Sequence, residues 1–283
     1  MTAASTARTA IVTGASSGFG LRIAVSLAKE GYHVVAGLRD PGRAGDLVQA
    51  ADRAGVAERL DIVRLDVTEA DAIEAAAAHA IGKYGRIDVL VNNAGYAVGG
   101  FIEEVPTAAW RAQMETNFIG LVAMTRAVLP AMREQGGGAI IQIGSVSGLL
   151  GFPGYGAYAA SKFAVEGFSE SLRHEMAPYG IRVALVEPGA YPTPIWDKGF
   201  AGIHDSPASP HRQAMLAVLA YSRKAANTSA DPQEVADLVV RIAGRRRLPL
   251  LRYPVGRGAK LLAFAGKLLP WRVIEAVVRK ALQ

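Results

Sequence analysis

Tyr158 and Lys162 are the residues whose types and spacing most clearly point to chemistry. They stand four residues apart in Tyr-Ala-Ala-Ser-Lys, and Ser145 precedes Tyr158 by thirteen residues. On a helix, positions i and i+4 share a face, so the phenol would lie beside an ammonium group. That charge favours the phenolate and is expected to lower the tyrosine pKa from about 10 towards neutrality. A tyrosine tuned in this way can exchange a proton with an alcohol or carbonyl oxygen.

The elements around this pair decide its meaning, because Tyr and Lys are also common on helix surfaces. Buried parallel strands are predicted over residues 9–12, 33–36, 61–65, 89–91, 139–143 and 183–186, with an edge strand over 248–251. Helices are predicted over residues 18–30, 70–83, 110–135, 157–177 and about 232–243. This alternation predicts right-handed βαβ units and a parallel α/β sheet covered on both faces.

A glycine-rich turn follows the first predicted strand. It reads Thr-Gly-Ala-Ser-Ser-Gly-Phe-Gly from Thr13 to Gly20 and leads into a predicted helix. Gly14 permits the turn, Gly18 lets the backbone approach a pyrophosphate, and Gly20 allows the helix to pack closely on the strand. The helix N-terminus offers N–H groups to phosphate. A dinucleotide site is therefore predicted, with a glycine turn that binds no ligand as the alternative.

The glycine turn, the Asn-Asn-Ala-Gly segment at 92–95 and the tyrosine–lysine pair together resemble the short-chain dehydrogenase/reductase family. The resemblance extends from about Thr9 to Thr193. It implies a single-domain Rossmann fold, doubly wound, with a nicotinamide cofactor and the substrate in one crevice. The segment 250–256, together with Glu187, is similar to the 17β-hydroxysteroid and retinol dehydrogenase-like branch.

The resemblance implies a role for each residue that matches a family motif. Tyr158 is the general acid in reduction and the base in oxidation, while Lys162 stabilises its phenolate and binds the nicotinamide ribose. Ser145 donates a hydrogen bond to the substrate oxygen, and Asn117 holds a water in the proton relay. Besides Tyr158 and Lys162, the residues assigned to the cofactor are Gly14, Ser16, Ser17, Gly18, Phe19, Gly20, Arg39, Asp66, Val67, Asn93, Ala94, Gly95, Pro188, Gly189 and Thr193.

The end of the second predicted strand bears on the choice between NAD and NADP. NAD enzymes place an acid there to bind both ribose hydroxyls. Leu38 occupies that position, Arg39 follows it, and Asp40 comes one residue late. An arginine can pair with a 2′-phosphate through two parallel hydrogen bonds. We therefore expect NADP(H) rather than NAD(H), with a solvated Arg39 as the alternative.

A substrate lid is predicted over about residues 190–230, a long segment that is rich in proline at its start. The side chains predicted to line an apolar pocket are Leu149, Phe152, Tyr155, Tyr191 and Trp196. Such a pocket favours a bulky hydrophobic ketone, aldehyde or alcohol, whereas ordinary packing of the lid is the alternative.

Positive charge is concentrated towards the C-terminus, in a helical extension expected over about residues 252–283. From Arg241 to Gln283 there are eleven Lys and Arg and one Glu, although the whole chain has a net charge of +6. Two amphipathic patterns, over 261–269 and 273–282, predict helices. These could pack over the cleft, against another subunit or on an anionic membrane. Nucleic-acid binding is not expected, because interleaved aromatic residues and a recognisable motif are absent.

Composition sets the class of protein. Apolar residues make up 51% of the 283 residues and charged residues 20%, which indicates a large core rather than disorder. The absence of Cys excludes disulfides and thiolate chemistry and fits a reducing cytoplasmic compartment. No metal-ligand spacing and no membrane-spanning run is evident. We predict an NADP(H)-dependent oxidoreductase that forms a homodimer or homotetramer, with a catalytically silent NADP(H)-binding regulator as the alternative.

Overall fold

Seven parallel strands form one sheet at the centre of the computed structural model, which describes residues 7–194, 202–227 and 230–281. The strands are β1 (Thr9–Thr13), β2 (His33–Leu38), β3 (Leu60–Arg64), β4 (Val89–Asn92), β5 (Gly138–Ile143), β6 (Ile181–Pro188) and β7 (Arg252–Val255). Their order across the sheet is β3-β2-β1-β4-β5-β6-β7. The order reverses between β1 and β4, and sheets of this kind bind ligands at the carboxyl ends of the strands beside such a reversal.

Helices cover both faces of the sheet. They are α1 (Gly18–Lys29), α2 (Gly45–Ala54), α3 (Ala70–Tyr84), α4 (Thr107–Met114), α5 (Gly120–Glu134), α6 (Gly156–Met176), α7 (Arg212–Asn227), α8 (Gln233–Gly244), α9 (Ala259–Leu268) and α10 (Trp271–Ala281). The predicted single-domain, doubly wound α/β fold is confirmed. Asp231 accepts a hydrogen bond from the Gln233 backbone N–H at 2.8 Å, which fits the predicted start of α8.

The central strands are buried on both faces because they carry apolar residues in continuous runs. Ile11 packs in the layer that α3, α5 and α6 form, while its neighbour Val12 packs in the layer of α1 and α8. Both side chains are fully buried. Burial of one such side chain is worth about 1.5–3 kcal/mol, so the two layers together hold the strand ends in place.

The edge strand lies four residues later than the sequence predicted. Pairing with β6 begins at Arg252 and ends at Val255, whereas residues 248–251 are not a strand. Arg252 explains this register, because its side chain bonds Glu166 at 2.8 Å and Glu170 on α6. Pro254 is accommodated because β7 pairs on one side only.

The helix that the sequence predicts over residues 110–135 is two helices in the structure. A π-helical turn, Glu115–Ile119, joins α4 to α5. Such turns insert one extra residue into a helix and often mark functional sites. Two further helices, α2 and α7, were not predicted from the sequence; α7 lies within the segment expected to form the lid.

Candidate active site

The loop between β1 and α1 depends on three glycines. Gly14 and Gly18 have φ values of +66° and +59°, a region that disfavours other residues. A Cβ on Gly20 would lie 2.2 Å from the Gly14 carbonyl oxygen. No side chain caps α1 at Ser17. The backbone N–H groups of its first turn are therefore available to an anionic ligand.

Asn93 fastens this loop to the end of β4. Its Nδ2 donates to the carbonyl oxygens of Thr13 and Gly14 at 2.9 and 3.1 Å. The Thr13 hydroxyl in turn accepts from the backbone N–H groups of Asn93 and Ala94, at 3.0 and 2.9 Å. The amide of Asn93 is thus occupied in holding the loop, which gives this residue a positioning function.

A cleft of about 1310 Å³ opens at the carboxyl ends of the strands. All of the predicted cofactor residues except Gly20 border it, and so do Ser145, Phe152, Tyr155 and Tyr191. Gly20 lies beneath the loop, where its lack of a side chain permits the close contact with Gly14. Asp66 borders the cleft as well, with one carboxylate oxygen accepting from both the N–H and the hydroxyl of Thr68.

Two arginines border the cleft beyond the end of β2. Leu38 is buried, whereas Arg39 is exposed on the rim. Asp40 accepts a hydrogen bond from Gly42 N at 2.9 Å and so caps a short 3₁₀ turn. That turn carries Arg43 to the same rim, a contact that sequence reasoning missed. The signal was the Asp-Pro-Gly segment, which is typical of a turn that reverses the chain.

Ser145, Tyr158 and Lys162 come together where β5 ends and α6 begins. The Lys162 ammonium lies 5.7 Å from the centre of the Tyr158 ring and donates to the Ile143 carbonyl oxygen at 2.8 Å. The Ser145 hydroxyl accepts from the Ser147 N–H at 3.1 Å. The three side chains therefore face one corner of the cleft.

The predicted lowering of the Tyr158 pKa is wrong. Burial raises that pKa, and the hydrogen bond with Ser145 opposes the change only in part. The physical reason is that removal of the phenolate from water destabilises it more than the hydrogen bond with Ser145 stabilises it. The ammonium of Lys162 donates to the Ile143 carbonyl oxygen instead of the phenol. Tyr158 is accordingly a protonated phenol near neutral pH, as a proton donor must be.

Burial lowers the pKa of Lys162 to about 8, with Glu166 acting in the opposite direction. Glu166 lies four residues further along α6 and belongs to a buried acidic group around Arg252. The Arg252 side chain bonds Glu166 at 2.8 Å and approaches Glu187 at 3.4 Å. Burial raises the pKa of Glu166, chiefly because the carboxylate is removed from water. Lys162 therefore keeps its proton up to mildly alkaline pH.

Asn117 lies in the π-helical turn and does not border the cleft. Its Nδ2 donates to the Tyr96 carbonyl oxygen at 2.9 Å and to the Ser161 hydroxyl at 3.0 Å. Ser161 donates in turn to the Tyr158 carbonyl oxygen at 2.7 Å. Asn117 thus connects the π-helical turn to the turn of α6 that carries Tyr158, through Ser161. Sequence reasoning missed Ser161, although it stands beside Lys162. The water predicted at Asn117 stays a prediction.

The remainder of the cleft is apolar and is formed by segments from the C-terminal third. Side chains of α7, α9 and α10 border it, and the Tyr155 hydroxyl donates to Ser222 of α7 at 3.2 Å. Tyr191 is only 1% exposed, and its hydroxyl donates to Glu234 at 2.8 Å, so it mainly packs. Leu149 was predicted to border the cleft but does not. Its neighbour Leu150 borders the cleft instead. Trp196 lies outside the described residues.

No group of three or more His, Cys, Asp or Glu within the described ranges could hold a metal ion. The arrangement offers instead one half-buried phenol, one buried amine and one hydroxyl, all bordering the same cleft as the glycine loop. Such a corner can donate a proton to, or accept one from, an oxygen of a molecule bound there.

Comparisons with known proteins agree with this geometry. A family model described as short chain dehydrogenase matches residues 8–202. The chain is 46% identical over 275 residues to "Uncharacterized oxidoreductase YusZ" of Bacillus subtilis (strain 168), covering 96% of this chain and 98% of the relative. It is 37% identical over 267 residues to "Retinol dehydrogenase 8" of Bos taurus, covering 90% of this chain and 84% of the relative.

A solved structure is also similar over most of the chain. It is a short chain dehydrogenase/reductase from Burkholderia phymatum in complex with NAD, with a TM-score of 0.76 and 29% sequence identity. The similarity covers 96% of this chain and 92% of the other.

Proposed function

The chain belongs to the short-chain dehydrogenase/reductase family, and on this basis we propose that it is an NADP(H)-dependent oxidoreductase with Tyr158 as its general acid and base. Family membership makes the protein an oxidoreductase that acts on CH–OH or C=O groups with a nicotinamide cofactor. The observation that supports the finer proposal is the convergence of Ser145, Tyr158 and Lys162 at one corner of the cleft, opposite the glycine loop.

The cleft fits a nicotinamide dinucleotide. Gly14, Ser16, Ser17, Gly18 and Phe19 of the glycine loop all border the cleft, so a ligand there can reach the loop. The first turn of α1 would hold the pyrophosphate, and Asp66 would contact the adenine. Thr193, which lies beside Gly18, would contact the nicotinamide carboxamide. When bound, the reduced cofactor would donate a hydride to the substrate carbon, and the oxidised cofactor would accept one from it in the reverse direction.

Two cations support the preference for NADP(H). Arg39 and Arg43 both border the cleft beyond β2, where a carboxylate would repel a 2′-phosphate. Asp40, the nearest acid in sequence, is directed into its own turn by the bond to Gly42. The buried Leu38 offers no group that could bind the ribose hydroxyls. Asp40 also borders the cleft, and its other carboxylate oxygen lies 3.9 Å from Arg43 Nε, so a phosphate at this rim would meet Arg39 and an Arg43 that is already paired.

Proton transfer is carried out by side chains that border one corner of the cleft, namely those of Ser145, Tyr158 and Lys162. Tyr158 donates its proton to the substrate oxygen during reduction and recovers it during oxidation. The Ser145 hydroxyl binds the same oxygen and stabilises the charge that develops on it. Lys162, as an ammonium, favours the tyrosinate that remains after proton transfer, and it binds the nicotinamide ribose. Asn117 holds the turn of α6 that carries Tyr158 through its bond to Ser161.

A hydrophobic carbonyl or secondary alcohol is the proposed substrate class. The cleft beyond Tyr158 is bordered by apolar side chains of three C-terminal helices, among them Val218, Leu262 and Ile274. Burial of a substrate there is favoured by about 25 cal/mol for each Å² of apolar surface. The similarity to a protein named retinol dehydrogenase supports the same class.

Oxidation of NADPH in the presence of a panel of hydrophobic ketones and aldehydes tests the proposal. We expect turnover that increases with the apolar surface of the substrate, and faster turnover with NADPH than with NADH. A short hydrophilic ketone serves as the control. If NADPH binds but no carbonyl compound of the panel is reduced, the protein is a cofactor-binding regulator rather than an enzyme of this class.

A further inference from the structure

The exposed apolar side chains of the protein are concentrated in one short segment. Sixteen large apolar side chains are exposed among the described residues, and seven of them lie between residues 261 and 277. These seven are Leu261, Phe264, Leu268, Leu269, Trp271, Val273 and Val277, of which Leu269 and Val277 also border the cleft. Single exposed apolar residues are ordinary, but a group of this size within one short segment often marks a binding surface.

Helix α9 is apolar on two faces, of which only one is used by the cleft. Its inner face borders the cleft through Leu262 and Ala265. Its outer face carries Leu261, Phe264 and Leu268, at spacings of three and four residues, and these side chains are 71%, 64% and 62% exposed. Packing over the cleft therefore accounts for the inner face and leaves the outer one in water.

Helix α10 is amphipathic, but its apolar side is poorly covered. Among its apolar residues Ile274 is 7% exposed, whereas Val277 is 60% exposed. The opposite side carries Arg272 and Arg279, both exposed, and Trp271 begins the helix. Helices with this composition, basic on one side and apolar on the other, lie in the plane of a membrane interface.

The charge of the segment identifies the occupant. Residues 257–281 carry six Lys and Arg and one Glu, which gives a local balance of +5. A symmetric contact between two copies through the outer face of α9 would bring the flanking Lys260 of each copy towards the same cation of the other, which is unfavourable. Anionic lipid headgroups attract such a patch, by about fivefold in affinity for each Lys or Arg near the surface.

We propose that α9 and α10 dock the protein on an anionic bilayer. The outer face of α9 and the exposed side of α10 enter the boundary between headgroups and acyl chains, while the flanking cations bind the headgroups. Among the described residues, no helix combines the length and the apolar composition of a membrane-spanning segment. Both helices border the cleft, and a hydrophobic substrate could enter between them from the lipid; this last point alone rests on the proposed function.

Co-sedimentation of the full chain with vesicles tests the docking without any substrate or cofactor. One set contains phosphatidylcholine alone, and the other contains equal parts of phosphatidylcholine and phosphatidylglycerol. We expect the protein to pellet with the mixed vesicles, and added salt should reduce the pelleted fraction. With the phosphatidylcholine vesicles little of the protein should pellet. An absence of pelleting with mixed vesicles at low salt overturns the proposal.

Substitutions on the outer face separate this surface from the rest of the protein. Leu261→Ser, Phe264→Ser and Leu268→Ser, made together, should abolish binding, whereas NADPH affinity should be unchanged. The matched control carries Val48→Ser, Ile81→Ser and Leu250→Ser. These side chains are also exposed but lie outside α9 and α10, so this variant should bind vesicles as the wild type does. Equal binding by both triple variants would contradict docking through α9.

A charge-matched pair tests the cations. Lys260→Glu with Arg279→Glu should weaken binding to mixed vesicles by at least about tenfold. Arg246→Glu with Arg247→Glu changes the net charge equally but lies just beyond the end of α8, outside the two docking helices, and should have a much smaller effect. Sedimentation equilibrium without lipid tests whether a second copy of the chain occupies this face. If the wild type is a dimer and the triple variant of the outer face is a monomer, the face is a subunit interface and the proposal is overturned.

Discussion

The two halves of the cleft are built in different ways. The half proposed to meet the cofactor is formed by strand ends and a glycine loop, in which Asn93 and Thr13 are held at fixed positions by hydrogen bonds of about 3 Å. The other half is formed by α7, α9 and α10, whose apolar side chains are in part exposed. The first half therefore continues the buried sheet, whereas the second half consists of helices that border the cleft at the carboxyl ends of the strands.

This difference separates the chemistry from the choice of substrate. Hydride and proton transfer require groups held within a few tenths of an ångström, and a close-packed sheet with satisfied polar groups supplies that precision. Recognition of a hydrophobic molecule needs apolar area rather than exact placement. We therefore expect substitutions in the first half to change the rate and those in the second half to change the affinity for substrate.

Two tyrosines three residues apart, one in each half, provide the sharpest contrast. Tyr158→Phe retains the ring but removes the proton, so kcat should fall by about 10²–10⁴-fold while NADPH still binds. Tyr155→Phe removes a hydroxyl that donates to Ser222 in the substrate half, and it should change mainly KM, by severalfold at most. Steady-state kinetics of both variants test the contrast, and similar losses of kcat would remove the distinction between the halves.

Gly20→Ala tests how tightly the cofactor half is packed. The added methyl group would lie 2.2 Å from the Gly14 carbonyl oxygen, so the loop must move. The expected cost is about 1–3 kcal/mol in the free energy of unfolding, with weakened cofactor binding. Gly167→Ala is the control, because a Cβ at that position in α6 meets no atom within 4 Å and should stabilise the helix. Urea unfolding that gives equal values for both variants would contradict the packing argument.

Arg39→Ala tests the rim of the same half. Loss of the guanidinium should reduce the ratio of kcat/KM for NADPH to that for NADH by about tenfold or more, which corresponds to about 1.4 kcal/mol. Arg53→Ala, on the exposed side of α2, should leave the ratio as it was. An unchanged ratio in Arg39→Ala would remove the reason to prefer NADP(H), whatever the absolute rates.

Glu166→Gln tests how the carboxylate of Glu166 affects the ammonium of Lys162. The pKa of Lys162 is about 8 and Glu166 raises it, so activity should fall as the pH rises through that value and the ammonium is lost. Removal of the carboxylate should move this alkaline limb to lower pH. Glu170→Gln, which also removes a partner of Arg252, does not face Lys162 in the same way and should leave the limb in place. A limb that moves equally in both variants would assign the effect to Arg252 instead.

The sequence predicted the first half of the cleft far better than the second. Gly14, Ser145, Tyr158 and Lys162 border the cleft as expected, because short motifs at strand ends are placed by the sheet itself. The pKa of Tyr158 was predicted with the wrong sign, since spacing along a helix reveals a neighbouring charge but not the depth of burial.

The second half depends on contacts between residues far apart in sequence. Helix α7 and Ser222 were missed, and the edge strand was placed four residues early, because the bonds between Arg252 and α6 that fix its register cannot be inferred from local patterns. Arg43, in the first half, was missed for a different reason, because the local Asp-Pro-Gly signal for the turn that carries it to the rim was overlooked.

Transfer of deuterium from labelled NADPH tests the central claim most directly. NADPH is prepared as each of its two C4-deuterated epimers and is turned over with a hydrophobic ketone that the enzyme reduces. We predict that one epimer alone gives an alcohol with deuterium on the carbinol carbon, and that Tyr158→Phe forms this product at least about a hundredfold more slowly. An alcohol without deuterium from either epimer, or equal rates in the wild type and Tyr158→Phe, would contradict the account.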